Sequence, residues 1–147
     1  MKQTESGSQG CILILEDDAR RIARFEAALA QEYPGTSVII WKCARKMVAE
    51  VDKYLADAKL ISLDHDLYPQ TSDSPDPGDG LEVAKHLAVR GSACPVVIHS
   101  SNADGAQRMA GEFELMGRQA KLVAPLGEDW IESLWIRVVK RLISLHA

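Results

Sequence analysis

Apolar residues in this chain gather in short, unbroken runs that stop abruptly at polar groups. Cys11-Ile12-Leu13-Ile14-Leu15 ends at Glu16-Asp17-Asp18, and Leu60-Ile61-Ser62-Leu63 ends at Asp64-His65-Asp66. Runs this short, without alternation, predict strands buried on both faces, as in a parallel sheet. Ser37 to Trp41, Pro95 to Ile98 (ending in His99-Ser100-Ser101-Asn102) and Lys121 to Pro125 read as further strands.

The segments between them carry helical spacing. Ile22, Phe25 and Leu29 recur at three- and four-residue steps, as do Met47, Val48, Val51, Tyr54 and Leu55. Gly80 to Leu87 opens a third helix ending near Gly91, and Ala106, Met109, Ala110 and Phe113 mark a fourth, closed by Gly117. Ile131, Leu134, Trp135, Val138, Val139 and Leu142 share one face of the last. Asp17 or Asp18 can cap the first helix and Ser100 the fourth. Strands and helices in strict alternation predict an α/β fold, a single doubly wound five-stranded parallel sheet of order 2-1-3-4-5 with helices on both faces, flavodoxin-like.

Length and composition sharpen this picture in a few places. The chain of 147 residues with 46% apolar content suits one domain over residues 11–147, preceded by a loose polar tail over 1–10. A net charge of −4 provides no basic field for a nucleic-acid duplex or an anionic membrane surface. No run reaches the ~20 apolar residues of a membrane span, so a cytoplasmic location is the expectation. Three scattered cysteines, Cys11, Cys43 and Cys94, read as reduced thiols in or near the core. Trp41, Trp130 and Trp135 read as packing residues, and neither His86 nor His146 earns a role. Residues 68–79, rich in Pro, Ser, Asp and Gly, form either a binding loop or a tolerated surface insertion.

The chemistry collects at strand ends. With strands one, three and four adjacent, Glu16, Asp17 and Asp18 converge with Asp64, His65, Asp66, and with His99, Ser100 and Asn102. Carboxylates crowded together repel unless a cation or proton is shared, and hard oxygen donors suit Mg²⁺ or Mn²⁺ better than zinc. Asp17 and Asp64 are the expected ligands, with Glu16 assisting. His65 and His99 are candidates for proton transfer, with Asp66 or Asn102 orienting a ring or a substrate oxygen and Ser100 or Asn102 holding phosphate. The bland alternatives are a helix cap for Asp18 and hydrogen-bonded core imidazoles for both histidines.

Two resemblances rest on these residues. Ile12 to Asp18 resembles the first strand and acidic metal-binding pair of bacterial response-regulator receiver domains, with Asp64 at the phosphoacceptor position. Asp79-Gly80-Leu81-Glu82-Val83-Ala84 is similar to the start of their third helix, and Ser100 stands where a hydroxyl contacts the phosphoryl group. Their strand-five lysine, before a proline, is replaced here by Ala124 before Pro125. More narrowly, Asp64-His65-Asp66-Leu67 and His99-Ser100-Ser101-Asn102 resemble the cyclic-phosphate-processing receiver-like family, with Tyr68 where that family usually has Gly and Ala103 where it often has Pro.

The narrower resemblance implies a metal-dependent phosphoesterase acting on a small cyclic phosphate. The broader one implies a stand-alone signalling receiver, phosphorylated at Asp64 or binding Mg²⁺ there. A third possibility, a scaffold with no bound ion, leaves the histidines in the core.

Overall fold

The apolar runs become strands: β1 (Cys11–Leu15), β2 (Ser37–Trp41), β3 (Ala58–Leu63), β4 (Val96–His99) and β5 (Lys121–Val123). In the computed structural model, which describes residues 10–147, all pair in parallel in the order β2-β1-β3-β4-β5. The expected tail lies outside the described residues apart from Gly10. The helices are α1 (Ala19–Glu32), α2 (Ala44–Glu50), α3 (Gly80–Ala88), α4 (Ala103–Leu115) and α5 (Ile136–Leu145). No helix among the described residues is long and apolar enough to cross a membrane.

Strand alternation divides the core in two. Leu13, Leu15, Ile61, Leu63, Val96 and Ile98 face α2, α3 and α4, meeting Met47, Val83, Leu87, Met109 and Phe113. Ile12, Ile14, Leu60 and Val97 face α1 and α5, meeting Phe25, Leu29, Trp130, Trp135 and Val139. Fully burying such side chains is worth about 2 kcal/mol each, which holds the helices against the sheet.

The local signals are met with three adjustments. Asp18 caps α1, its Oδ1 accepting from the Arg20 and Arg21 amides at 2.9 and 3.0 Å. Gly117 closes α4 with φ +72°, a conformation that only glycine adopts without strain. The second helix, however, tightens into a 3₁₀ stretch (Val51–Asp57) that hands directly to β3. The cap of α4 is Asn102 rather than Ser100, because the Ser100 hydroxyl is taken by the Asn102 amide at 3.0 Å while Asn102 Oδ1 accepts from Gly105 at 2.8 Å. The last helix begins as a π turn (Ile131–Trp135), and this wider winding leaves Leu134 43% exposed instead of on the buried face. Cys11 and Cys94 are buried free thiols and Cys43 is partly buried.

Candidate functional site

Parallel register builds the centre of the site. Leu15 pairs with Leu63 and Leu63 with Ile98, so the next residue on each strand, Glu16, Asp64 and His99, falls in one row. The row keeps its hydrogen bonds, Glu16 N–H donating to the Trp41 carbonyl at 2.9 Å and Asp64 N–H to that of Leu15 at 3.1 Å. By alternation these three side chains share the parity of Ile14, Ser62 and Val97 and so lean toward α1 and α5. All three are buried, and one donor atom of each lies within 4.8 Å of the others.

His99 has no exposure to solvent. Its Nδ1 meets Ser62 Oγ at 2.6 Å and its Nε2 meets Glu16 Oε1 at 3.0 Å. Trp135 Nε1–H donates to the same Ser62 oxygen at 2.9 Å. An indole only donates, so the Ser62 oxygen accepts from Trp135, while the donor and acceptor roles of the two His99 nitrogens follow the ring's tautomer. Phe25 and Trp130 enclose the ring, with centroids 5.0 and 6.1 Å away. Glu16 is thus the contact between the His99 ring and the acidic side chains of the row.

Burial pushes the Asp64 carboxyl up to about 6, with Glu16 adding to the rise and His99, the His65 amide and Arg21 opposing it. Asp17 is also raised, chiefly by burial and then by its acidic neighbours, although Tyr68 N–H donates to its Oδ2 at 2.6 Å. That contact attaches the start of the 68–79 loop to the site. Among the described residues Arg21 is the one lysine or arginine within ion-pair distance of the row, its Nη1 3.7 Å from Glu16 Oε1 and 3.8 Å from Asp64 Oδ2.

Beyond Asp64 the chain forms a second cluster. His65 Nδ1 is hydrogen-bonded to Asp66 Oδ1 at 2.7 Å, and its Nε2 lies 4.0 Å from Asp79 Oδ2. Asn102 Nδ2 donates to both Asp66 oxygens at 3.2 and 3.4 Å. The His65 hydrogen bond, and then that of Asn102, hold the Asp66 carboxyl below the usual range. Two glycines permit this packing: a Cβ on Gly80 would collide with the Asp64 carbonyl oxygen, and one on Gly105 would lie 2.6 Å from the His65 ring.

A cleft of about 390 Å³ opens over the row, lined by the acids from Glu16 to Asp18, Asp64 and Asp66 with Arg21, Tyr68, Gln70 and Ser101. Of the residues expected in the site, Glu16, Asp17, Asp64 and Asp66 reach this cleft. His65, His99, Ser100 and Asn102 stand behind or beside it. A cleft of about 500 Å³ at the opposite strand ends, between Leu55, Cys94, Pro95 and Ile143, carries no acid. The donor set fits a hard divalent ion: carboxylate oxygens close together, one of them on a carboxyl whose ionised form is disfavoured chiefly by burial, and room for further ligands. Ser62, Arg21, Trp130 and Trp135 were not legible as site residues, although a lone Ser inside an apolar run was a signal for the first.

This fold, with an acidic site at the carboxyl ends of β1 and β3, defines a receiver domain. Residues 12–114 match the family described as "Cyclic-phosphate processing Receiver domain", and the chain belongs to that family. Three solved structures share the fold at low sequence identity. The receiver domain of an HD domain-containing protein from Pseudomonas fluorescens Pf-5 has a TM-score of 0.65 at 12% identity, covering 92% of this chain and 98% of that one. The CheX-CheY-BeF3-Mg²⁺ complex from Borrelia burgdorferi has 0.63 at 16%, covering 94% and 90%. The N-terminal domain of a response regulator/sensory box/GGDEF protein from Carboxydothermus hydrogenoformans has 0.63 at 21%, covering 92% and 95%. No curated protein matches the chain.

Proposed function

We propose that the acidic cleft hydrolyses a small cyclic phosphate with the help of a divalent ion. The observation that carries this reading is the buried row of Glu16, Asp64 and His99, with donor atoms within 4.8 Å, on a chain of the cyclic-phosphate-processing family. Glu16, Asp17 and Asp64 would hold Mg²⁺ or Mn²⁺, and a bound ion of this kind neutralises charge on a phosphoryl oxygen. In the reaction a water oxygen forms a bond to phosphorus, one ring P–O bond breaks, and the water's proton ends on the released alkoxide. Asp66 fixes the His65 ring for proton transfer, and Asn102 fixes Asp66. His99 positions Glu16 through its Nε2 contact. Ser101, which lines the cleft at the start of the β4–α4 connection, supplies a hydroxyl toward the phosphate, and Ser100 stands behind it.

Phosphorus NMR of 2′,3′-cyclic, 3′,5′-cyclic and cyclic sugar phosphates tests this, with and without Mg²⁺ or Mn²⁺. Metal-dependent conversion, lost in Asp64→Asn, is the expected result. No conversion across the panel overturns the reading.

A second reading, a signalling receiver modified at Asp64, draws on the fold shared with the Borrelia protein, whose structure holds BeF3 and Mg²⁺. A stable mass gain at Asp64 after incubation with a small phosphoryl donor, without turnover of cyclic phosphates, would select it.

A further inference from the structure

The receiver pattern places a cation at the end of strand five, where this chain has Ala124. We propose that Arg21, approaching from α1 on the other side of the row, supplies that charge and binds the phosphoryl oxygens of the ligand. The inference rests on the phosphate reading of the cleft given above.

Three observations carry it. First, the root of Arg21 is fixed: its amide is clipped by the Asp18 cap at 3.0 Å, in the first turn of the helix. Second, its donors are uncommitted. The guanidinium is 3.7 Å from Glu16 and 3.8 Å from Asp64, beyond hydrogen-bond length, and among the described residues its side chain makes no hydrogen bond. Arg24, one turn on, shows the contrast, with its Nε and Nη2 bonded to Glu132 and the Glu128 carbonyl at 2.7 to 2.9 Å.

Third, Trp130 holds the guanidinium in place from one side, 5.3 Å from its ring centroid. Trp130 is itself only 4% exposed and packs edge-on against Phe25. It lies in the segment that follows β5, the segment where a receiver carries its lysine. A cation on an aromatic face is held without consuming its N–H donors. The planar fork then remains free to take two phosphate oxygens, a geometry a lysine does not offer. Arg21 also lines the cleft beside Asp64, so a phosphoryl group reaching that carboxylate meets the guanidinium.

The competing role is that Arg21 serves only as a counter-ion to Glu16 and Asp64. Calorimetric titrations separate the two, using Mg²⁺ alone and then inorganic phosphate at saturating Mg²⁺, on wild type, Arg21→Gln, Arg21→Lys and Arg24→Gln. Arg21→Gln removes a cation that competes with the ion, so Mg²⁺ binds it more tightly. Phosphate then binds more weakly by about ten-fold or more, with partial recovery in Arg21→Lys and wild-type behaviour in Arg24→Gln.

Unchanged phosphate affinity in Arg21→Gln would leave Arg21 a counter-ion and overturn the inference while the function proposed above stands. An equal loss in Arg24→Gln would reduce the effect to general surface charge and overturn it as well. Wild type that takes up neither Mg²⁺ nor phosphate would overturn both.

Discussion

His99 Nε2 and Glu16 Oε1 lie 3.0 Å apart with both side chains sealed from solvent, the imidazole at 0% and the carboxylate at 1% exposure. Two strands thus share one buried polar contact, and Ser62 and Trp135 extend it to β3 and to the π turn before α5.

Removing one partner is therefore costly. His99→Leu takes the ring contact from both Glu16 and Ser62, and is expected to lower the unfolding free energy by about 3 kcal/mol. Replacing Glu16 by Leu in the same chain removes the stranded carboxylate and recovers part of the loss. Urea denaturation of the two variants checks this; a double variant no more stable than His99→Leu would contradict it.

Asp64 links stability to pH in a direction opposite to most paired carboxylates. Its folded value of about 6 lies above the ordinary 3.8, so the protonated form is favoured by folding. The stability this gives is complete below about 3.8 and is lost as pH rises through about 6, a swing on the order of 3 kcal/mol. Metal-free Asp64→Asn should match wild type near pH 4 and exceed it near pH 7.5 when both are followed by thermal unfolding. Adding Mg²⁺ at pH 7.5 should raise wild type and leave the variant nearly unmoved.

Asn102 does two jobs with one side chain, capping α4 through Oδ1 and holding Asp66 through Nδ2. Asn102→Asp keeps the capping oxygen but sets a negative charge against Asp66. It should preserve stability to within about 1 kcal/mol of wild type relative to Asn102→Ala, which loses the cap. Both variants should remove the Asn102 hold on Asp66, seen as a changed His65 ring signal in NMR. An unaltered His65 signal would mean that the Asn102 contact does not hold Asp66.

Two glycines of α4 make a matched test of the room around His65. A methyl at Gly111 meets nothing within 4 Å and should stabilise the helix by about 0.5–1 kcal/mol. At Gly105 the same methyl lies 2.6 Å from the His65 ring, and displacing the ring should cost about 1–3 kcal/mol in spite of the helix gain. Opposite shifts in melting temperature are expected.

The fold was legible because burial on both sheet faces leaves a plain trace: apolar runs broken by acid at Leu15-Glu16 and Leu63-Asp64. Parallel topology then dictates that those acids meet. Less visible was which polar residues turn inward. His99 ends an apolar strand and reads equally as a cleft residue or a core one, and its burial is settled by Ser62 and by Trp135, 73 residues beyond Ser62 in the chain. Arg21 follows a helix cap among other charges and reads as a solvated residue. Only the approach of α1 to Trp130 brings it over the acids. Winding was hidden too, since the spacing around Leu134 fits an α-helix as well as the π turn that exposes it.

The row of Glu16, Asp64 and His99 has no local precursor. Its outer members are 83 residues apart, with α1, β2 and α2 between Glu16 and Asp64 and α3 between Asp64 and His99. The complete row therefore exists only when β1, β3 and β4 are assembled side by side. Capture of a divalent ion there, as proposed above, would consequently be a report on native topology, to which partly folded chains and misregistered sheets would be blind.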